Sequence, residues 1–405
     1  MNKSSTQYLP LILITAFLDI LGFGILIPSL PDIIAGFAMN GSWTAYSQGI
    51  YSVWMFFGGL IFWRMSDIYG RKRMLVGTSI INFLWYAVLL SSLFFAIPKG
   101  GSWVYYPDTN ILFIGFSLYL LSRLVAGFGW AGFSVIQAYI ADISSPENKT
   151  KNMGLIGAMF WMGFLVWPAI GWILGGMGIF TVVIGCMTVI LINIISIIFL
   201  LSEPEKHQAS SELSIDIHES FRFSHEVRWL LVFSFFTAIG FSSIQSGSNQ
   251  FYADKFGFWT DGIGYVMSWV GFISIIYQWW LVRYIRLYFN EIRMIQFAFA
   301  MLLIGFLLFS LNSNPWFLLG IIPFFPIGMG SFNPSVSALL SMKAWKDVGK
   351  VMWYNTSAMS IGWVIGPFLV GFLYVYNISF PFYASTVLFC ILFVVSLWIF
   401  QSKYN

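Results

Sequence analysis

The chain has 405 residues, of which 59% are hydrophobic and only 9% charged, with a net charge of +4. A soluble domain is about a quarter charged, so this composition excludes a soluble globular protein, and the small positive balance reads as membrane orientation rather than as a nucleic-acid surface. Runs of about 20 apolar residues, each long enough to cross a bilayer, recur from end to end.

Taken in order, these runs predict twelve membrane helices, at residues 9–31, 45–63, 74–97, 111–141, 152–174, 178–201, 229–252, 261–283, 292–311, 316–341, 350–375 and 381–401. Only Lys3 precedes the first run and no small-residue cleavage site follows it, so it is expected to remain as a helix rather than to be removed as a signal peptide. Between the second and third runs lies GLIFWRMSDIYGRKR (59–73), where Arg64, Arg71, Lys72 and Arg73 surround Asp67 and Gly70 in one short loop. Loops rich in Lys and Arg stay on the cytoplasmic side. With both termini inside, 17 of the 20 Lys and Arg residues fall on that side, which supports the helix count.

The longest polar interval, 202–228, divides the chain into six helices and six, giving an N-terminal bundle (1–201), a cytoplasmic linker (202–228) and a C-terminal bundle (229–405). The halves echo one another. The fifth helix carries Gly163, Pro168 and Gly171, and the eleventh carries Gly362, Gly366, Pro367 and Gly371; the two prolines are 199 residues apart. Proline removes a backbone hydrogen bond and bends a helix, so Gly163, Pro168, Gly171, Gly366 and Pro367 are candidate hinges. Duplicated six-helix units are a feature of secondary transporters.

Asp19 is the one acidic residue well inside a span, and Arg123 the one deeply placed cation. A charge at the centre of a membrane helix costs about 2.5–3.5 kcal/mol, so such residues are functional candidates by default. A lone acid that can take up and release a proton, and a lone base whose approach or retreat gates that exchange, are expected to share a wet pocket between the two halves. Further along the fourth helix, Gly127, Ala131, Ser134 and Gln137 follow Arg123 at helical spacing. The seventh helix carries Gln245, Ser248, Asn249 and Tyr252 as a polar stripe, and Asn333 and Asn355 add amides to the tenth and eleventh. Gln137, Gln245, Asn249, Asn333 and Asn355 are the candidate substrate contacts, and interhelical hydrogen bonding is the competing use of the same groups. No nucleotide-binding loop is present, and Cys186, Cys390 and the three histidines lack metal-ligand spacing, so neither cofactor nor metal is expected.

Six stretches in register give the chain a resemblance to the major facilitator superfamily, and within it to the twelve-helix drug:proton antiporters of the tetracycline-efflux type. These are LDILGFGILIPSLP (18–31), SDIYGRKR (66–73), RLVAGFG with AYIAD (123–142), the stretch 163–176, NPSVSALLS (333–341) and IGPFLVG (365–371). The resemblance implies an all-α polytopic protein of the cell membrane, with two six-helix bundles working by alternating access. It implies proton-coupled export of a lipophilic small molecule, tetracycline-like among the candidates, and no enzymatic activity. A monomer with a small-molecule substrate, protons and the lipid bilayer as partners, and no nucleic acid, is expected. It also implies that Asp67 faces the start of the eleventh helix, and that Asp67, Gly70, Arg71 and Asp142 form a cytoplasmic latch in which Arg71 pairs with Asp142. A metabolite or sugar transporter on the same scaffold, or a non-transporting receptor, are the alternatives.

The departures from the family pattern run one way. Trp63, Trp130, Trp161, Trp167, Trp172, Trp279, Trp280, Trp353 and Trp363 stand where relatives carry small residues, mostly glycine. Glycine lets membrane helices touch backbone to backbone, and overpacking such a site costs about 1–3 kcal/mol. A gene whose UGA codons are read as glycine in its own cell, but translated here as tryptophan, would produce this pattern; divergence with repacking is the alternative.

Overall fold

The computed structural model describes residues 8–96, 109–130, 132–144, 177–204, 224–344 and 348–401, with Asn152, Leu155, Met159, Val166, Ile170, Ile173 and Leu174 between them. Every element among these residues is helical. In chain order they are α1 (Leu9–Leu26), α2 (Ser42–Tyr69), α3 (Arg71–Leu93), α4 (Thr109–Trp130 with Gly132–Ile143), α5 (the helical positions between 152 and 174), α6 (Ile179–Leu200) and α7 (His225–Ser242 through Ser248–Phe256). They continue as α8 (Thr260–Ile276 through Val282–Tyr288), α9 (Glu291–Leu311), α10 (Leu318–Ile321 and Phe324–Ala344), α11 (Val348–Tyr376) and α12 (Phe380–Gln401). Among the described residues, eight helices are long and apolar enough to span a membrane by length and composition alone. α2 is not among them: Ser42, Thr44, Ser47, Gln48 and Ser52 make its first half polar, and all five are buried.

Two boundaries differ from the sequence expectation. The first run does not continue smoothly to residue 31: Pro28 and Pro31 start a 3-10 turn (Ile27–Ser29) and a short helix (Leu30–Gly36), as suits a residue without an N–H. The basic loop after the second run is a single residue. Nothing breaks the helix before Gly70, so Arg64 and Asp67 ride on α2. Gly70 then turns the chain at φ 96°, ψ 153°, a conformation closed to residues with a Cβ.

Each half has its own core. The C-terminal helices close over a phenylalanine cluster that includes Phe233, Phe251, Phe299, Phe306, Phe309, Phe382 and Phe389, with Phe306 stacked on Phe389 at 5.2 Å. The N-terminal helices close over Tyr51, Trp85, Tyr86, Tyr119, Val182 and Ile190, and, nearer the basic end, over Ile12, Leu75, Ile136, Tyr139 and Ile197. Val166, Ile170 and Leu174 of α5 line one side of the upper cluster. Lipid is as apolar as these side chains, so close backbone approach supplies much of the specificity. At Gly127 of α4 a Cβ would lie 2.9 Å from the backbone nitrogen of Met55 on α2. At Gly362 of α11 it would lie 2.6 Å from the carbonyl oxygen of Phe235 on α7.

The tryptophans are accommodated where their side chains are described. Trp280 (61% exposed) and Trp353 (49%) project from the surface. Trp130 stacks on Phe133 and Trp363 sits edge-on to Phe241, both with centroids 6.1 Å apart. At these four sites each ring turns outward or lies against an aromatic neighbour. Trp161, Trp167 and Trp172 lie outside the described residues, as do the side chains of Trp63 and Trp279.

Candidate functional site

Arg123 is 1% exposed, buried inside the N-terminal bundle. Its guanidinium lies over the Tyr51 ring from α2 at 5.3 Å and the Trp85 ring from α3 at 5.4 Å. Tyr86 stacks on Trp85 at 3.7 Å, and the Tyr119 hydroxyl donates to Ser47 Oγ at 2.9 Å. Arg123 Nε and Nη2 are buried without a hydrogen-bond partner. A cation held by aromatic faces gains about 2 kcal/mol when desolvated, while burial of a charge costs several. The two idle donors therefore mark a site that favours an acceptor.

Asp19 lies on α1, partly buried, and receives a 2.8 Å hydrogen bond from Asn193 Nδ2 on α6. It makes no ion pair with Arg123; Tyr86 lies within electrostatic range of both charges. The acid and the base both belong to the N-terminal bundle, because α1 packs along α6 and α4 packs between α2 and α3.

The amides divide. Asn355 is buried and accepts from Ser234 Oγ of α7 at 2.6 Å, tying two helices of one bundle. Asn249 Nδ2 reaches across the bundles to the Ile27 carbonyl at 3.3 Å. Gln137, Gln245 and Asn333 are exposed and make no side-chain hydrogen bond among the described residues. The polar stripe on α7 is broken because residues Ser243–Gly247 form a π turn, which rotates Gln245 away from buried Ser248, Asn249 and Tyr252. Along α4, Arg123 and Gly127 both face α2, and the face is lost only further on, where Gln137 is exposed.

At the end away from the basic loop the bundles are closed. Thr44 Oγ1 on α2 donates to Gln250 Oε1 on α7 at 2.7 Å. Gln250 Nε2 donates to Asp254 Oδ1 at 2.8 Å, and the Tyr374 hydroxyl of α11 donates to Asp254 Oδ2 at 2.7 Å. Beside this chain α2 crosses α11, with Gly49 against the Phe368 ring and Gly371 against the Tyr46 ring, where a Cβ would come within 2.9 and 2.7 Å.

At the basic end the described ion pairs stay within single bundles. Arg71 bonds Asp67 at 2.6 Å, Asp142 at 2.7 Å, and Ser66. Lys343 of α10 pairs with Glu226 of α7 at 2.7 Å. The Arg71–Asp142 pairing is present, whereas Asp67, 47% exposed, is engaged by Arg71 of its own bundle. Glu203, which the sequence assigns to the linker, instead accepts from the backbone N–H groups of Arg71 and Lys72 and caps α3. Gly366 packs against Ser242 of α7, and Pro367 sits within an unbroken α11; Gly163, Pro168 and Gly171 lie outside the described residues. Sequence reading missed Asn193, Glu203, Gln250, Asp254 and the aromatic box around Arg123. The one visible signal was a polar residue inside an otherwise apolar run, Asn193 in ILINIISI (190–197).

Residues 12–347 match the model of the Major Facilitator Superfamily. The chain is 26% identical to multidrug resistance protein 2 of Bacillus subtilis, over 94% of this chain and 92% of that protein. It is 23% identical to the class H tetracycline resistance protein of Pasteurella multocida, over 94% and 91%. The crystal structure of a D-xylose-proton symporter superposes with a TM-score of 0.70 at 14% identity, covering 96% of each chain. With two helical bundles and matching relatives along almost its whole length, the chain belongs to the Major Facilitator Superfamily and is a multi-pass transporter of the cell membrane.

Proposed function

We propose that this transporter exports a lipophilic, drug-like small molecule in exchange for protons, by alternating access between its two bundles. The observation that carries the reading is the presence inside one bundle of a partly buried carboxyl, Asp19, and a buried cation with idle donors, Arg123. Names of relatives point the same way: a multidrug resistance protein and a tetracycline resistance protein. In this reading Asp19 carries the proton, and the positive potential of Arg123 favours its release when the two approach. The arrangement described has its outer end closed by Thr44, Gln250 and Asp254. Gln137, Gln245 and Asn333, exposed and unengaged, serve as substrate contacts. Asn249 and Asn355 serve closure and helix packing instead.

The test uses everted membrane vesicles with an imposed pH gradient. Addition of tetracycline or ethidium discharges the gradient in vesicles holding the wild-type chain, and Asp19→Asn removes the response. Discharge by sugars or metabolites, with none by either drug, would contradict the efflux reading.

A further inference from the structure

Asn193 is fully buried on α6, among Ile190, Ile194 and Ile197. A primary amide in such surroundings costs free energy unless its donors and acceptor are engaged. Its Nδ2 donates to Asp19 Oδ1 at 2.8 Å and approaches the Thr15 carbonyl at 3.5 Å. Its Oδ1 is buried and has no partner. One half of the amide is thus satisfied by the acid, and the other half waits.

We propose that Asn193 is a positioning residue for the Asp19 carboxyl that serves both of its protonation states by turning its amide. The proposal rests on the proton-coupled reading above. A charged carboxylate only accepts, and Nδ2 supplies its donor. When a proton from water adds to a carboxylate oxygen, the new O–H needs an acceptor, and the amide turned by half a revolution offers Oδ1. One O–H bond forms at Asp19, the proton comes from solvent, and no other covalent bond changes. The amide therefore holds the acid in one place through the whole cycle and tunes the pH at which it loads.

Tyr86 of α3 lies within electrostatic range of the acid and also of Arg123 of α4 and Cys186 of α6, with Tyr51 of α2 facing Arg123. Among the described residues Asn193 is the only side chain hydrogen-bonded to Asp19.

The experiment measures proton-driven tetracycline transport in proteoliposomes as a function of pH. Asn193→Leu keeps the volume but removes both hydrogen bonds; the one to the charged carboxylate is the stronger, so its loss outweighs that of the acceptor, the protonated carboxyl is favoured and the half-maximal pH rises by about one unit. Asn193→Gln keeps the amide and restores the wild-type midpoint. Infrared difference spectra of the wild-type protein provide a readout that needs no Asn193 variant: an asparagine amide band moves together with the carboxyl band on acidification, and both vanish in Asp19→Asn. A folded Asn193→Leu protein with the wild-type profile, or a carboxyl band that titrates with no amide change, overturns the proposal while leaving proton coupling intact. Wild-type transport insensitive to the proton gradient overturns both.

Discussion

The outer closure gives a quantity that can be worked from the structure. Gln250→Ala removes the hydrogen bond from Thr44, which joins the two bundles, and the bond to Asp254, which lies within one bundle. Only the first is lost when the bundles part, so only the first biases the conformational equilibrium. A neutral, buried hydrogen bond contributes about 1 kcal/mol. At 1.4 kcal/mol per factor of ten, the substitution shifts the balance about fivefold toward the outward-open form. Gly41 packs against the Gln250 side chain, where a Cβ would lie 2.7 Å away, so Gly41→Ala pushes on the same closure from the other bundle. Spin labels on the α1–α2 and α7–α8 turns report the shift as growth of a long-distance population. An unchanged distance distribution in both variants would refute the argument that this contact holds the outer end shut.

The remaining predictions concern packing, capping and composition. Gly127→Leu destabilises the detergent-solubilised protein by about 1–3 kcal/mol, read as a lower melting temperature, because a Cβ there meets the α2 backbone. Gly59→Ala on α2, where a Cβ meets nothing within 4 Å, is neutral or slightly stabilising in the same assay. Glu203→Ala uncaps the start of α3 and, by loosening Arg71, increases hydrogen exchange at residues 71–73; high salt reduces the difference between variant and wild type. Mass spectrometry of peptides from the protein made in its own cells reads glycine at Trp280, Trp353 and Trp363 if the UGA codons are reassigned. Tryptophan at all nine of the positions named above would end that idea.

Much of the architecture is legible in the sequence because lipid imposes a simple rule on apolar length and on the placement of Lys and Arg. Arg71 and Asp142 could be paired from family resemblance alone, and the ion pair is present. Other features depend on information that spacing does not carry. The π turns at Ser243–Gly247 and Tyr277–Leu281 each insert a residue into the helical register, so a stripe counted at regular spacing loses its face beyond them. α2 runs to Tyr69 because apolarity marks where lipid ends, whereas a breaker marks where a helix ends. Glu203 looks like an ordinary linker acid until the fold brings it to the start of a helix 131 residues away in sequence from its Lys72 partner. Asn193 reads as a tolerated amide in an apolar run, and only the α1–α6 packing shows it facing Asp19.

The most direct test of the account is a proton count. Purified transporter in weakly buffered detergent solution receives saturating tetracycline, and the pH of the solution is followed. Wild-type protein releases protons into the solution as drug binds, and Asp19→Asn, still binding the drug, releases none. Equal release from both proteins would show that the proton resides elsewhere, and the role assigned to the first-helix carboxyl would be wrong.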